Sequence, residues 1–333
     1  MPTIDDRSKS ISGSLTSGTN RKWIDSVYVG AITTMSLALM TLVLAIGCAL
    51  LWQSMPAIKA LGPGFVTGHE WDDATGKYGS AAFLSGTLYS SGIAILVSVP
   101  ISICSAIFLA ELAPKWIRLP ITFLIELLAA IPSVVYGLWG IFVLIPLLRD
   151  KVMTPALAST TIGKIPILKS LLTGAGYGPS MLAAGLLLAI MITPFITAIC
   201  RDILLAIPTM QRDAAAGLGT TQAETILKVV LPSAAPGLIG AVMLGFGRAF
   251  GETMAVTMVI GNMTPNTPDG RSIALFDPGY TIASAMANKF TEATPGIATA
   301  ALIELGLVLF VTSMLINFFA RSLVRLAARR IAA

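Results

Sequence analysis

Six long apolar stretches, separated by shorter polar segments, dominate the pattern of the chain. An α-helix needs roughly 20 apolar residues to cross the hydrocarbon core of a bilayer, and each stretch is at least that long. The stretches are residues 27–52, 81–109, 119–148, 179–200, 233–260 and 296–320. The pattern therefore predicts an all-α, polytopic membrane protein with six transmembrane helices.

Composition supports a membrane location. Hydrophobic residues make up 55% of the chain and charged residues only 12%, with a mean hydropathy of +0.82. Soluble domains carry about 25% charged residues, so contact with membrane lipid is expected. The net charge of +5 does not indicate nucleic acid as a partner, because basic residues of membrane proteins collect in cytoplasmic loops. The three cysteines lie in or at the end of apolar stretches and predict no metal site.

The distribution of lysine and arginine predicts the orientation. With the polar N-terminal segment in the cytoplasm, basic residues are more numerous in the inside segments than in the outside segments. Both termini are then cytoplasmic. The predicted order is a flexible cytoplasmic tail at 1–26, a first transmembrane helix at 27–52, an extracytoplasmic loop at 53–80, a membrane core at 81–320 and a basic cytoplasmic tail at 321–333.

A polar, helix-prone segment at 207–232 separates the fourth apolar stretch from the fifth and is expected in the cytoplasm. Pro208 is suited to start a helix and Gly219 to end it, and a second short helix is expected to stop before Pro232. The consecutive alanines Ala214 to Ala216 would give the first helix a surface that a partner can approach closely. The segment therefore predicts a helix, a turn and a second helix on the cytoplasmic face.

This loop resembles the EAA signature of ABC-importer permeases. The matching positions are Asp213, Ala214, Ala215, Gly219, Val229, Leu231 and Pro232. Asp213 stands for the usual Glu and Val229 for the usual Ile. The resemblance implies that the loop, with Arg212, forms a coupling helix that docks on an ATPase subunit. Since the chain contains no Gly-x-x-x-x-Gly-Lys-Ser/Thr phosphate cradle, ATP and Mg²⁺ would be bound by that separate ATPase; this chain is not expected to be an enzyme or to hold a cofactor.

Two charges lie inside the fifth apolar stretch. Arg248 is roughly 20 Å from the cytoplasmic end of the predicted helix, where a buried Arg costs at least about 2.5–3.5 kcal/mol. Glu252 would lie one turn further on the same face and partly neutralise Arg248. The two could be an internal ion pair that holds helices together or an anion site, since the planar Arg fork suits phosphate oxygens. Glu126 and Glu304, in the third and sixth stretches, carry no assigned role.

Residues 247–262, Gly-Arg-Ala-Phe-Gly-Glu-Thr-Met-Ala-Val-Thr-Met-Val-Ile-Gly-Asn, resemble the PstC-like permeases of phosphate ABC importers. Stretches at 108–114, 131–139 and 191–196 carry the same resemblance, which extends from about residue 56 to the C-terminus. It implies a type I ABC importer permease fold in the bacterial plasma (inner) membrane. Arg248 and Glu252 would then line the substrate pathway.

The resemblance also implies partners. The protein partners would be a homologous PstA-like permease, a PstB-like ATPase dimer and an extracytoplasmic PstS-like phosphate-binding protein. The binding protein would contact the outside loops 62–79 and 264–278. The substrate would be inorganic phosphate. Two alternatives stay open. One is an importer of another oxyanion, such as sulfate or molybdate. The other is an ion-coupled secondary transporter, although the two internally related halves typical of those folds are not evident in the sequence.

Overall fold

A computed structural model describes residues 19–158, 176–263 and 274–332 of the chain. The chain forms two units, Met1–Gln53 and Ser54–Ala333. The helices are α1 (Thr19–Leu61), α2 (Gly64–Thr67), α3 (Ala81–Leu112), α4 (Lys115–Ala129), α5 (Ser133–Ala158), α6 (Met181–Leu205), α7 (Thr209–Gly217), α8 (Gln222–Phe250), α9 (Met254–Val259), α10 (Ile282–Lys289) and α11 (Ile297–Ala332). Strands β1 (Trp71–Asp72) and β2 (Lys77–Tyr78) form an antiparallel hairpin.

Among the described residues, six helices are long and apolar enough to cross a membrane, which confirms the predicted all-α fold with six spans. They are α1, α3, α5, α6, α8 and α11. The described part of the first unit is a single helix, the portion of α1 that begins at Thr19 and continues through Gln53. Residues 53–61 are helical, where the sequence predicted a loop. The last helix likewise continues through residues 321–332, because this segment is rich in the strong helix formers Leu, Ala and Arg.

Helix α6 lies at the centre of the second unit and packs against α3 and α8. The approach of α8 is close because Gly245 faces the fully buried Ile196, and a β-carbon at Gly245 would collide with that side chain. Small residues let helix backbones come together in this way inside a membrane. The Ser102 hydroxyl of α3 donates to the Thr193 carbonyl of α6 over 3.1 Å. These contacts make α3, α6 and α8 one packed core.

The third apolar stretch is not one helix. The predicted span 119–148 is wrong in its bounds, because α4 ends at Ala129 and α5 begins at Ser133. Pro132 has an extended ψ of 139°, lacks an N–H for the helix ladder and disfavours a helical conformation at the residue before it. Helix α4 has no buried residue within the chain. The membrane-crossing segment is therefore α5, about ten residues further along the chain.

The fifth stretch also differs from its predicted bounds of 233–260. Helix α8 begins at Gln222 and passes through Pro232 after a π-helical turn at Ile226–Val230. The expectation that a short helix stops before Pro232 is wrong, because the proline falls in the first turn after the π-helical segment, where its missing N–H is tolerated. At its other end α8 stops at Phe250, and α9 begins at Met254.

The second unit contains a second, smaller hydrophobic core, which includes Phe65, Phe83 and Tyr280. Phe65 and Phe83 are fully buried there, and the Phe83 ring contacts the Tyr280 ring edge-on at a centroid distance of 5.3 Å. In the hairpin loop the Thr75 hydroxyl donates to the Asp72 carboxylate over 2.7 Å, and this hydrogen bond lowers the pKa of Asp72. The segment predicted as an extracytoplasmic loop is therefore partly ordered into helix α2 and the hairpin.

Candidate functional site

The helix and turn predicted in the cytoplasmic loop are present. Helix α7 follows Pro208 and ends at Gly217, and Gly219 has a left-handed φ of +81°, a conformation that glycine adopts at low cost. The Thr221 hydroxyl then accepts from the Glu224 N–H over 3.3 Å, while the Glu224 carboxylate accepts from the Thr221 N–H over 3.1 Å. This reciprocal capping box starts α8.

Helix α7 presents an exposed, partly apolar surface. Ala214 and Ala216 are exposed, and Ala215 is buried against the turn, where the Thr220 hydroxyl donates to its carbonyl over 2.8 Å. Two large apolar side chains flank the alanines, with Met210 78% exposed and Leu218 86% exposed. Within the chain these side chains have little to pack against, so the surface is available to a partner.

The remaining residues of the EAA-like set divide between two places. Asp213 is exposed on α7, beside the alanines. Leu231 and Pro232 are half-buried inside α8, and Leu231 packs against the main hydrophobic core. The structure thus brings Asp213, Ala214 and Gly219 to the exposed loop, and it places the Leu-Pro pair where α8 joins the membrane core.

Arg212 points away from the exposed surface of α7, toward the end of α3. Its guanidinium forms a two-pronged ion pair with Glu111, with Nη2 to Oε1 at 2.7 Å and Nε to Oε1 and Oε2 at 3.2 and 3.3 Å. Both side chains are mostly buried. No role for Glu111 was predicted from the sequence; the available signal was a carboxylate at the end of an apolar stretch, close to a basic segment.

Arg248 lies in the last turn of α8 and is exposed within this chain. Its guanidinium carbon lies 5.4 Å from the centroid of the Phe195 ring, a cation–π contact. At about 1.5 Å per residue, Phe195 is roughly 20 Å from the start of α6 and roughly 15 Å from its end. Arg248 therefore lies level with the middle of α6, although it is in the last turn of α8 itself. In the described parts of the chain no carboxylate is within ion-pair distance of Arg248.

Glu252 does not continue the helical face of Arg248. Helix α8 has ended at Phe250, and Glu252 lies in the break before α9. One of its carboxylate oxygens accepts from the Ala255 N–H over 3.3 Å, as a side chain that caps a helix start does. The expected one-turn spacing on a common helix is wrong, because Gly251 ends the helix between the two charges.

The two unassigned carboxylates have different surroundings. The exposed Glu126 carboxylate accepts from Arg201 Nη1 over 3.4 Å, near the C-terminal end of α6. Glu304 is buried in α11, and its Oε2 has no hydrogen-bond partner within the described ranges. In those same ranges, no group of three or more His, Cys, Asp or Glu side chains is arranged to hold a metal ion.

Sequence comparisons connect this geometry with known proteins. Residues 98–333 match the model of the family described as binding-protein-dependent transport system inner membrane component. The chain is 42% identical to the phosphate transport system permease protein PstC of Haemophilus influenzae, over 92% of this chain and 94% of that protein. It is 45% identical to the PstC of Mesorhizobium japonicum, over 89% and 90% of the two chains.

Solved structures support the same fold. One similar chain comes from a bacterial alginate ABC transporter in complex with an alginate pentasaccharide-bound periplasmic protein. It aligns with a TM-score of 0.57 at 15% identity, and the alignment covers 90% of this chain and 96% of the alginate transporter chain. The MetNI methionine ABC transporter aligns with a TM-score of 0.51 at 18% identity, covering 74% and 94%. At such low identity these likenesses establish the fold alone, that of an ABC importer permease. Together with the sequence matches, they show that the chain belongs to the family of binding-protein-dependent transport system inner membrane components, among its PstC permeases.

Proposed function

We propose that the chain is the membrane-spanning permease subunit of an ATP-driven phosphate importer. The observation that carries the proposal is Arg248, a guanidinium level with the middle of helix α6 and with no carboxylate in ion-pair contact among the described residues. A charge at that depth is costly and characteristically faces a protein interior or a watery pathway. The names of the PstC relatives, 42–45% identical to this chain, supply the substrate class.

The pathway needs a second permease. Arg248 is exposed in the isolated chain, and a homologous PstA-like subunit would cover this face and enclose the path. An extracytoplasmic PstS-like protein would deliver phosphate, and a PstB-like ATPase dimer would bind ATP and Mg²⁺ on the cytoplasmic side. Both termini would be cytoplasmic, as the excess of Lys and Arg in the inside segments favours.

Helix α7 is the proposed contact with the ATPase. Its small alanines allow a close approach, and the exposed Met210 and Leu218 offer apolar side chains for a groove on the partner. Asp213 adds a charge for orientation. A movement imposed on α7 would reach the membrane core through Leu231 and Pro232, because α8 continues from the loop without interruption.

Phosphate would be recognised in the pathway by charge and hydrogen bonds. The Arg248 fork suits two oxygens of the anion. The Glu252 carboxylate, one oxygen of which accepts from the Ala255 N–H, would lie beside the path and accept a hydrogen bond from the P–OH of monohydrogen phosphate. Sulfate has no such proton at neutral pH, so the carboxylate would also favour phosphate over sulfate.

The test is uptake of radiolabelled phosphate by the complete complex in proteoliposomes with ATP and binding protein. Loss of a hydrogen bond to a charged group costs about 1.5–3 kcal/mol, so Arg248→Ala is expected to lower uptake by about 10- to 150-fold while the complex still co-purifies. The matched control is Arg149→Ala, at an exposed position next to Asp150, which should transport normally. Near-normal uptake by Arg248→Ala would contradict the pathway role.

The same proteoliposomes separate the alternatives. Competition by excess sulfate or molybdate would indicate another oxyanion as the physiological substrate, whereas phosphate uptake that resists both supports the proposal. Transport that persists without the ATPase subunit would favour an ion-coupled secondary transporter.

A further inference from the structure

The Arg212 side chain joins three segments of the cytoplasmic end. Its guanidinium bonds both oxygens of Glu111 at 2.7–3.3 Å and also donates to the Leu204 carbonyl over 2.8 Å and to the Ile207 carbonyl over 2.5 Å. These acceptors lie at the end of α3, the end of α6 and the linker to α7. One side chain on α7 thus connects it with the ends of two membrane helices.

Burial distinguishes this ion pair from the others in the described residues. The Arg212 and Glu111 side chains are 21% and 11% exposed, whereas every other ion pair there has at least one partner more than 40% exposed. Exposed pairs contribute little to structure, because water and salt screen them. A charge-assisted, two-pronged contact away from water is stronger and fixes the geometry of both partners.

The α3 side of the contact is also held in place. Glu111 lies in the π-helical turn Phe108–Leu112 that ends α3, and the Arg118 guanidinium donates to the Ala110 and Ala113 carbonyls over 3.0 and 3.3 Å. The Gln222 amide donates to the Glu111 carbonyl over 3.2 Å. Glu111 therefore contacts both α7, through its carboxylate, and the start of α8, through its backbone.

We propose that Glu111 is a positioning residue for energy coupling, which locks α7 to the end of α3 through Arg212. A displacement of α7 by the ATPase would then move α3 and α6 together with α8. This inference rests on the proposed function of α7 as the ATPase contact. The Ser102–Thr193 hydrogen bond between α3 and α6 would keep these two helices moving as one body.

The experiment measures phosphate imported per ATP hydrolysed by the complete complex in proteoliposomes. Glu111→Gln is expected to lower this ratio at least fivefold while ATP hydrolysis continues, because α7 would move without carrying α3. Glu126→Gln is the matched control, since this carboxylate also pairs with an arginine at the cytoplasmic end but is exposed, and its ratio should equal that of the wild type. A normal ratio in Glu111→Gln overturns the proposal.

A double variant separates coupling from folding. Glu111→Gln leaves the Arg212 charge half-buried without its carboxylate, which is destabilising, whereas Glu111→Gln with Arg212→Gln leaves two neutral amides. Assembly and thermal stability should recover in the double variant, while the ratio of phosphate to ATP stays low. Recovery of the ratio together with stability would show a structural role only. A wild-type complex that imports no phosphate with ATP would instead contradict the proposed function itself.

Discussion

Replacement of Gly86 by alanine is expected to destabilise the second unit, although alanine is the better helix former. In α3, a β-carbon at Gly86 would collide with the carbonyl oxygen of Tyr280. That carbonyl cannot easily withdraw, because the Ile282 N–H donates to the Thr87 hydroxyl over 3.0 Å and the Tyr280 ring packs on Phe83. The added methyl group therefore collides with a backbone segment that this hydrogen bond and this ring contact keep in place.

The size of the effect follows from two opposing contributions. Overpacking costs about 1–3 kcal/mol, and the upper end applies because the obstacle is backbone rather than a flexible side chain. Alanine recovers up to about 1 kcal/mol through its helix propensity, which leaves a net loss of about 2 kcal/mol. Gly92 on the same helix is the control, since its added β-carbon meets no heavy atom within 4 Å in the described chain. Gly92→Ala should gain up to about 1 kcal/mol.

The assay is thermal unfolding of the two variants, purified in the same detergent and heated at the same rate. The loss in Gly86→Ala and the gain in Gly92→Ala together separate the two variants by about 3 kcal/mol. By the scaling for domains of 150–250 residues, their unfolding midpoints should be on the order of 6–12 °C apart. Gly86→Ala should unfold at the lower temperature, with unchanged helical content before the transition. Coinciding midpoints, or a higher midpoint for Gly86→Ala, would refute the close approach of α3 to Tyr280.

Two further predictions concern the C-terminal end of α6 and the turn after α7. Glu126→Gln removes the ion pair between Arg201 and the Glu126 side chain, which is 59% exposed. The thermal midpoint should therefore fall by an amount equivalent to less than about 1 kcal/mol. A larger fall would contradict the exposed position of Glu126. Gly219→Ala places a side chain at a left-handed φ, at a cost of about 1–2 kcal/mol, and should speed protease cleavage in the loop. Gly217→Ala, in open space at the end of α7, should not speed cleavage. Equal cleavage of the Gly217→Ala and Gly219→Ala variants would argue against the left-handed turn at Gly219.

The number of membrane spans was predictable from length and apolar composition, although the bounds of the third span were not. The turn at Gly219 was predictable too, since glycine after a helical segment is a strong local signal. Helix breaks were harder, because a proline does not by itself reveal whether a helix continues. Pro100 and Pro194 lie inside the continuous helices α3 and α6, whereas Pro132 separates α4 from α5. Burial does not separate the two cases, because Pro100 and Pro132 are both exposed and Pro194 is buried, and the local sequence alone does not distinguish them either.

The side-chain partners depend on tertiary structure. Glu111 and Arg212 are 101 positions apart, and only the fold brings the ends of their helices together. The spacing of four between Arg248 and Glu252 predicted a shared face, which holds only on an unbroken helix. Because α8 stops at Phe250, Glu252 instead caps the start of α9. The sequence therefore predicted candidate site residues, but it did not predict their contacts.

The glycines of α8 have two kinds of surroundings, which bear on the proposed pathway between two permeases. Gly237 and Gly245 face α6, where added β-carbons would collide with Ile203 and Ile196. Gly240 and Gly247 face open space, with no heavy atom of the described chain within 4 Å of an added β-carbon. Arg248 is exposed beside Gly247. Gly240 lines a cavity shared with Gly237 and with Asn317 of α11, whereas Gly247 is exposed. Glycine weakens a helix unless something packs closely against it, so the open position at Gly247 agrees with the proposed pathway completed by another subunit.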